Sequence, residues 1–241
     1  MPVKLVTHVP PRLIRPVITV DGKLAAHLER DPIFTLMNKS HCCLFAGKAG
    51  SGKSTAAFSI LQSPAGMLGV FDLIILFMPP NSRASIQGGP SFGKGVRVVM
   101  YDDMTPDTLN EAYDMAQQNA LAGRKTLMLF DDMQRFFKEK ECKSIVLGIL
   151  NNRRHARVCL WFLIQNYLSL ERQLRSGITD VFMFKCAKRE MEALVNEQLD
   201  MSPTAFREIQ PFLFNDDHGF MYINTSSQRI FSGWSEIVYE L

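Results

Sequence analysis

The chain has 241 residues, of which 46% are hydrophobic and 21% charged, a globular balance that excludes a disordered or fibrous protein. A net charge of +3 permits a nucleic-acid partner without arguing for one, because an electrostatic footprint depends on where the charges cluster. Cys42, Cys43, Cys142, Cys159 and Cys186 are odd in number and lack C-x-x-C spacing, which indicates neither a disulfide framework nor a zinc site and points to a reducing, intracellular setting.

Residues 1–37 read as an N-terminal extension with one extended segment at 13–20 and a turn at Asp21-Gly22. Prolines interrupt residues 1–16, which do not form a signal peptide, and no apolar run approaches the roughly 18 residues of a transmembrane segment. Residues 38–241 read as a single α/β domain. Cys42 to Ala46 is a short apolar strand, followed by a glycine-rich turn and a helix at 53–61. The nearly continuous apolar run at 71–78 reads as a strand buried on both faces, ended by Pro79-Pro80. Residues 81–95 read as a long surface loop, 96–101 as another strand, and Thr105-Pro106 as the start of a helix that Gly123 ends.

A strand at 126–130 closes on Asp131-Asp132, and Cys142, Ile145, Val146, Ile149 and Leu150 mark one face of an amphipathic helix. Strands follow at 157–164 and 181–184, then a short helix from Ser202-Pro203 and a C-terminal hairpin of 219–223 and 229–231. Strands alternating with helices predict a mainly parallel central sheet flanked by helices on both faces, with ligands at the carboxyl ends of the strands.

The strongest chemical signal is Gly47-Lys48-Ala49-Gly50-Ser51-Gly52-Lys53-Ser54, which fits G-x-x-x-x-G-K-[ST] at every fixed position between a strand and a helix. Gly47, Gly50 and Gly52 let the backbone curl until its N–H groups face phosphate oxygens, and the positive end of the next helix faces the same anion. Residues Gly47 to Thr55, with Ser51, Lys53, Ser54 and Thr55 among them, are therefore expected to hold the triphosphate of a nucleotide. Lys53 reaches the β- and γ-phosphates and Ser54 coordinates Mg2+. A chance glycine-rich turn is the competing reading, and the flanking strand and helix disfavour it.

The second half of the site is expected at Asp131 and Asp132. Asp131 would hold magnesium, directly or through water, and Asp132 would orient or deprotonate the attacking water, against the alternative of an acidic helix cap. Asp102-Asp103 is read as a turn. Gln165, at the end of a strand beside the cradle, is expected to contact the γ-phosphate or the water, or else to be an ordinary strand-end amide. Arg153 and Arg154 end the amphipathic helix; one of them would neutralise transition-state charge in a neighbouring subunit's site, with a cationic helix C-terminus as the equal alternative.

With the glycine loop, the Asp-Asp strand, the Asn-x-Arg-His turn and the strand-end Gln in that order, the chain resembles the poxvirus-type viral genome-packaging ATPases of the FtsK–HerA superfamily of P-loop NTPases. The resemblance runs from about Leu44 to Asn166. It implies a RecA-like core, a ring-shaped homo-oligomer, and ATP hydrolysis that moves double-stranded DNA into a preformed capsid without reading its sequence. Capsid or membrane-associated portal proteins are further implied partners, and the implied location is the host cytoplasm or viral assembly site, with incorporation into the virion. By the resemblance Lys53 and Ser54 match the phosphate and magnesium residues, Asp131 the metal-associated acid, Asp132 the catalytic acid, Arg154 the arginine of the family's Gly-Arg-His turn and Gln165 the sensor. Two departures stand out: Arg153 replaces the usual glycine, which leaves the choice of finger between Arg153 and Arg154 open, and Asp132 stands where the cellular branches carry Glu. Arg83 and Lys94, in the long loop, are candidates to track the DNA backbone, against a plain solvated loop. A cellular or plasmid translocase or helicase of the same superfamily and a nucleotide-gated assembly protein with little turnover are the competing functions.

Overall fold

The computed structural model describes residues 4–6, 32–37, 39–84, 92–214 and 218–238. The strands are β1 (Lys4–Val6), β2 (Cys42–Ala46), β3 (Leu73–Phe77), β4 (Arg97–Tyr101), β5 (Thr126–Asp131), β6 (Val158–Ile164), β7 (Asp180–Phe184), β8 (Phe220–Asn224), β9 (Arg229–Ser232) and β10 (Ser235–Val238). The helices are α1 (Pro32–Leu36), α2 (Lys53–Gln62), α3 (Pro80–Ala84), α4 (Pro106–Leu121), α5 (Lys140–Asn152), α6 (Arg172–Arg175), α7 (Lys188–Gln198) and α8 (Pro203–Ile209).

The ten strands form one sheet in the order β1-β10-β9-β8-β7-β2-β6-β5-β3-β4. From β7 to β4 every neighbouring pair is parallel, while β8, β9, β10 and β1 continue the sheet antiparallel. The fold is therefore mixed α/β with a large, mostly parallel sheet. The central strands β2, β3, β5, β6 and β7 are buried at every residue, which explains their continuous apolar runs. Alternate side chains enter two separate cores: Cys42, Leu44 and Ala46 pack with residues of α4, α5, α7 and α8, and Cys43 and Phe45 with residues of α1 and α2.

An aromatic ladder crosses the carboxyl end of the sheet. Tyr101, Phe77, Phe130 and Phe162 are register partners on β4, β3, β5 and β6, with successive ring centroids 5.0, 4.9 and 5.3 Å apart in near-parallel planes. Stacked rings across four strands resist sliding of one strand past the next, so the residues just beyond Phe130 and Phe162 are held in fixed register.

Helix ends follow local chemistry. Thr105 and Thr108 form a reciprocal capping box ahead of α4, with Pro106 in its first turn. The α2 N-terminus is different: its cap is Gly52, left-handed and without a side-chain hydrogen bond, so its amide donors face outward for another acceptor.

Several expectations move. The strand at 126–130 extends to Asp131, and that at 181–184 begins at Asp180, whose buried carboxylate accepts from Tyr222 Oη, Asn224 Nδ2 and Thr179 Oγ1. Arg157 falls outside β6, because its φ of 50° is left-handed. The expected loop at 81–95 begins as helix α3. The chain also carries α7, the strand β10 and the edge strand β1, none of which the sequence pattern predicts. The expected extended segment at 13–20 and the turn at Asp21-Gly22 lie outside the described residues. Among those residues, no helix is long and apolar enough to cross a membrane.

Candidate active site

β2, β6 and β5 are adjacent and parallel, so whatever follows their last residues shares one end of the sheet. Gly47 follows β2, Gln165 follows β6, and Asp131 and Asp132 end and follow β5. That juxtaposition builds the site.

The loop after β2 curls back on itself. Gly47 N–H donates to Ile164 O, Ser51 N–H to Lys48 O, and Gly50 and Gly52 have φ of 75° and 95°, which L side chains rarely adopt. At Gly47 the constraint is space, since a Cβ there would lie 2.6 Å from Phe184 Cβ of β7. Lys53 is buried, and its ammonium donates to Gly47 O at 2.8 Å and Lys48 O at 2.9 Å, which points it along the inside of the curl. Burial lowers its pKa, while Asp131 and Asp132 pull the other way. Ser51 Oγ is buried without a hydrogen-bond partner among the described residues. A buried hydroxyl left without a bond, outward amides at an uncapped helix start and a buried cation are what a polyphosphate would satisfy.

Across from the curl, Ser54 Oγ donates to both oxygens of Asp131, at 3.0 and 3.2 Å. Asp131 is buried, and burial pushes its carboxyl up to about 6; the Ser54 hydrogen bond opposes this, Asp132 adds to it and Lys53 opposes it. Asp132 follows with φ of 58° and donates its N–H to Leu163 O, a left-handed backbone that turns its carboxylate back over the end of β6. There Asp132 Oδ1 accepts from Gln165 Nε2 at 2.8 Å and Gln134 Nε2 at 3.0 Å. Gln165 thus touches the carboxylate expected to act on water. Gln134 was missed, and its only sequence signal is an amide two residues beyond an acid pair.

Arg153 and Arg154 lie elsewhere, at the amino end of the seven-residue β6 and more than roughly 20 Å along the strand from their own cradle. Arg153 is half-buried, with Nε donating to Ser40 O and Nη1 to Leu150 O. It ties the end of α5 to the entry into β2. Arg154 is exposed. Asp102 sits in the turn after β4, paired with Arg83 at 2.8 Å, and takes no part in the site. Arg83 and Lys94 do not form one patch: Arg83, in α3, follows β3, whereas Lys94 precedes β4, at the opposite end of the sheet.

Solved structures share this fold. The genome packaging NTPase B204 from Sulfolobus turreted icosahedral virus 2, in complex with ATP-gammaS, superimposes with a TM-score of 0.59 at 16% identity, over 82% of this chain and 98% of that one. The DNA-packaging ATPase B204 from Sulfolobus turreted icosahedral virus gives 0.61 at 17% identity, over 82% and 98%. EccC (ATPases 2 and 3) from Thermomonospora curvata gives 0.54 at 11% identity, over 84% of this chain but 37% of that one. At such identities the likeness shows a shared fold. No curated protein sequence matches the chain. The family described as Poxvirus A32 protein matches residues 30–205, which is more than half of the chain and contains the cradle, both acids, Gln165 and both arginines. The chain belongs to that family and is an ATPase of viral DNA packaging.

Proposed function

We propose that this chain is a translocase that couples ATP hydrolysis to movement of double-stranded viral DNA into a preformed capsid. What carries this reading is the convergence of two hydrogen-bonded pairs, Ser54 with Asp131 and Gln165 with Asp132, on the open side of a glycine curl that contains Lys53. The sheet order, with one strand between that of the cradle and that of the acids, supports a RecA-like core with helices on both faces. The ATPase domain is assigned to residues 38–241, ending in the C-terminal strands, and residues 1–37 to an N-terminal extension.

The donor set suits a hard divalent cation, because magnesium is held by one or two protein oxygens together with substrate phosphates. Ser54 Oγ and the Asp131 carboxylate would hold it, and when bound it supplies neutralisation of charge on the phosphate oxygens. Lys53 offsets charge on the β- and γ-phosphates. Asp132 orients the attacking water in line and takes its proton, while Gln165 and Gln134 fix the carboxylate that does so. Because Gln165 bonds this acid, its displacement upon hydrolysis can report the state of the γ-phosphate to β6 and the rest of the molecule.

Arg154 is the finger of choice. Arg153 is engaged by two carbonyls of its own chain, whereas Arg154 is exposed beside it and too far from its own cradle, so it serves a second copy in a ring. Such a ring acts where the virus assembles, against capsid or membrane-associated portal proteins.

The test is steady-state ATP turnover with and without duplex DNA for the parent, Lys53→Ala and Asp132→Asn. Each substitution is expected to lower turnover by about 100-fold or more. Equal turnover in all three would end the motor reading, and stimulation by single-stranded in preference to duplex DNA would turn it into a helicase.

A further inference from the structure

The amino end of the parallel strands has a charge pattern that hydrolysis does not use. Lys39 precedes β2, Lys94 and Arg97 precede and start β4, Arg124 precedes β5, Arg157 precedes β6, and all five are exposed. In the connections entering β2 through β6, Asp72 is the only carboxylate among the described residues, and its Oδ2 already accepts from Lys125 N–H at 2.8 Å. None of the five cations pairs with a carboxylate among the described residues. Between the starts of β3 and β4 and the last turn of α4 lies a polar cleft of about 390 Å³, with Arg97 and Arg124 in its lining.

We infer that this face seats the phosphate backbone of duplex DNA, an inference that rests on the function proposed above and adds the surface at which the duplex is held. Its length favours DNA over a neighbour's nucleotide. From Lys39 to Arg97 the row crosses four strand spacings, roughly 19 Å, and duplex DNA carries a charge about every 1.7 Å of its axis. A single triphosphate can engage the part of the row beside Arg154, one strand in from Lys39, but not the whole of it. Helix macrodipoles account for cations just beyond α4 and α5, but not for Lys94 and Arg97, which follow a loop and start a strand. The left-handed backbone at Arg157 has the same direction: its guanidinium reaches the turn at Gly123, beside Arg124, and so joins the cations of β6 to those of β5. Contacts of this kind position a duplex without reading its bases, as a packaging motor needs.

The test is binding of a fluorescently labelled blunt duplex of mixed sequence to the full chain over a salt series, for the parent and for Arg97→Gln/Arg124→Gln/Arg157→Gln. The triple variant is expected to bind at least about tenfold more weakly, with the slope of log affinity against log salt reduced by about 2.7 and turnover without DNA unchanged. A second variant, Lys94→Gln/Arg97→Gln/Arg124→Gln, leaves the left-handed Arg157 in place and carries the same expectation. Parent-like affinity and slope in both variants would overturn the inference while leaving the proposed function intact. So would unchanged DNA affinity with loss of concentration-dependent turnover, which would assign the face to the next subunit's nucleotide. An equal loss in Arg83→Gln, at the opposite end, would overturn the location. A parent that binds no duplex would remove the proposed function itself.

Discussion

The carboxyl and amino ends of the parallel strands carry opposite chemistry. At the carboxyl end, Asp131 and Asp132 meet Lys53, Ser54 and two glutamines within a few hydrogen bonds, and each side chain is positioned by the next. At the amino end, cations are spread along the row of strand starts, exposed and not bonded to one another. A convergent cluster suits a reaction at one atom, where misplacement is costly. A dispersed row suits a long polyanion held by summed weak contacts. Strand direction sorts the two, since α2 begins at the carboxyl end with its positive pole toward the cradle, while α4 and α5 end at the other with their negative poles toward the basic turns.

The largest expected effect breaks the separation between the ends. Arg154→Ala is expected to reduce turnover at saturating protein concentration by about 1,000-fold, because in the proposed ring this amino-end residue would complete a carboxyl-end site in another copy. Mixing Arg154→Ala with Asp132→Asn should restore part of the lost activity, since mixed rings contain some intact interfaces; a mixture no more active than either variant would remove the trans role.

Arg153→Ala sharpens the contrast between the paired arginines. It should cost about 1 to 2 kcal/mol in urea unfolding, through loss of the bonds to Ser40 O and Leu150 O, with far smaller loss of turnover than Arg154→Ala. A loss of turnover equal to that of Arg154→Ala, with unchanged stability, would exchange their roles.

Gly47→Ala probes the carboxyl end without removing a functional group. The added Cβ meets Phe184 Cβ at 2.6 Å, so β2 and β7 must part or the curl must shift, at an expected cost of about 1 to 3 kcal/mol and with weaker nucleotide binding by calorimetry. Parent-like stability and affinity would show that the curl has room to spare.

The ion pair between α6 and α7 supplies the smallest effect and a pH dependence. Arg175 Nε and Nη2 donate to Glu197 at 2.7 and 2.8 Å, and Tyr167 Oη donates to it at 2.8 Å. Burial would raise the Glu197 pKa, but the Arg175 and Tyr167 hydrogen bonds outweigh it and hold it below the ordinary value. A depressed carboxyl pKa contributes stability that is present above the unfolded-state pKa, about 4.3, and lost as pH falls through the folded value. Glu197→Gln should therefore cost about 1 kcal/mol in thermal unfolding at pH 7 and less at pH 3, with turnover retained. An equal cost at both pH values would mean that packing, not charge, is what Glu197 contributes.

The glycine loop, the Asp-Asp strand and Gln165 were legible because each is a local signal: curl, burial and acid lie within a few residues, and strand order then brings the ends together. Arg153 was not, since its two acceptors include Ser40, more than a hundred residues earlier, and only the fold reveals it as a tie. Gln134 was hidden because its partner depends on the left-handed backbone of Asp132, which propensity does not disclose. α7 escaped notice because it is rich in charged residues and buries two polar ones, Glu190 and Gln198; Glu190 accepts the N–H of Tyr167 across elements. The row of cations at the strand starts could not be seen in a net charge of +3, because strands distant in sequence become neighbours only in the sheet.

The most direct test of the site is a crystal structure of the chain with a non-hydrolysable ATP analogue and Mn2+, read by anomalous scattering. The manganese peak is expected within coordination distance of Ser54 Oγ, with the Asp131 carboxylate beside it directly or through one water and the γ-phosphate facing Asp132. A nucleotide seated away from the 47–55 curl, or a metal peak remote from both Ser54 and Asp131, would contradict this expectation.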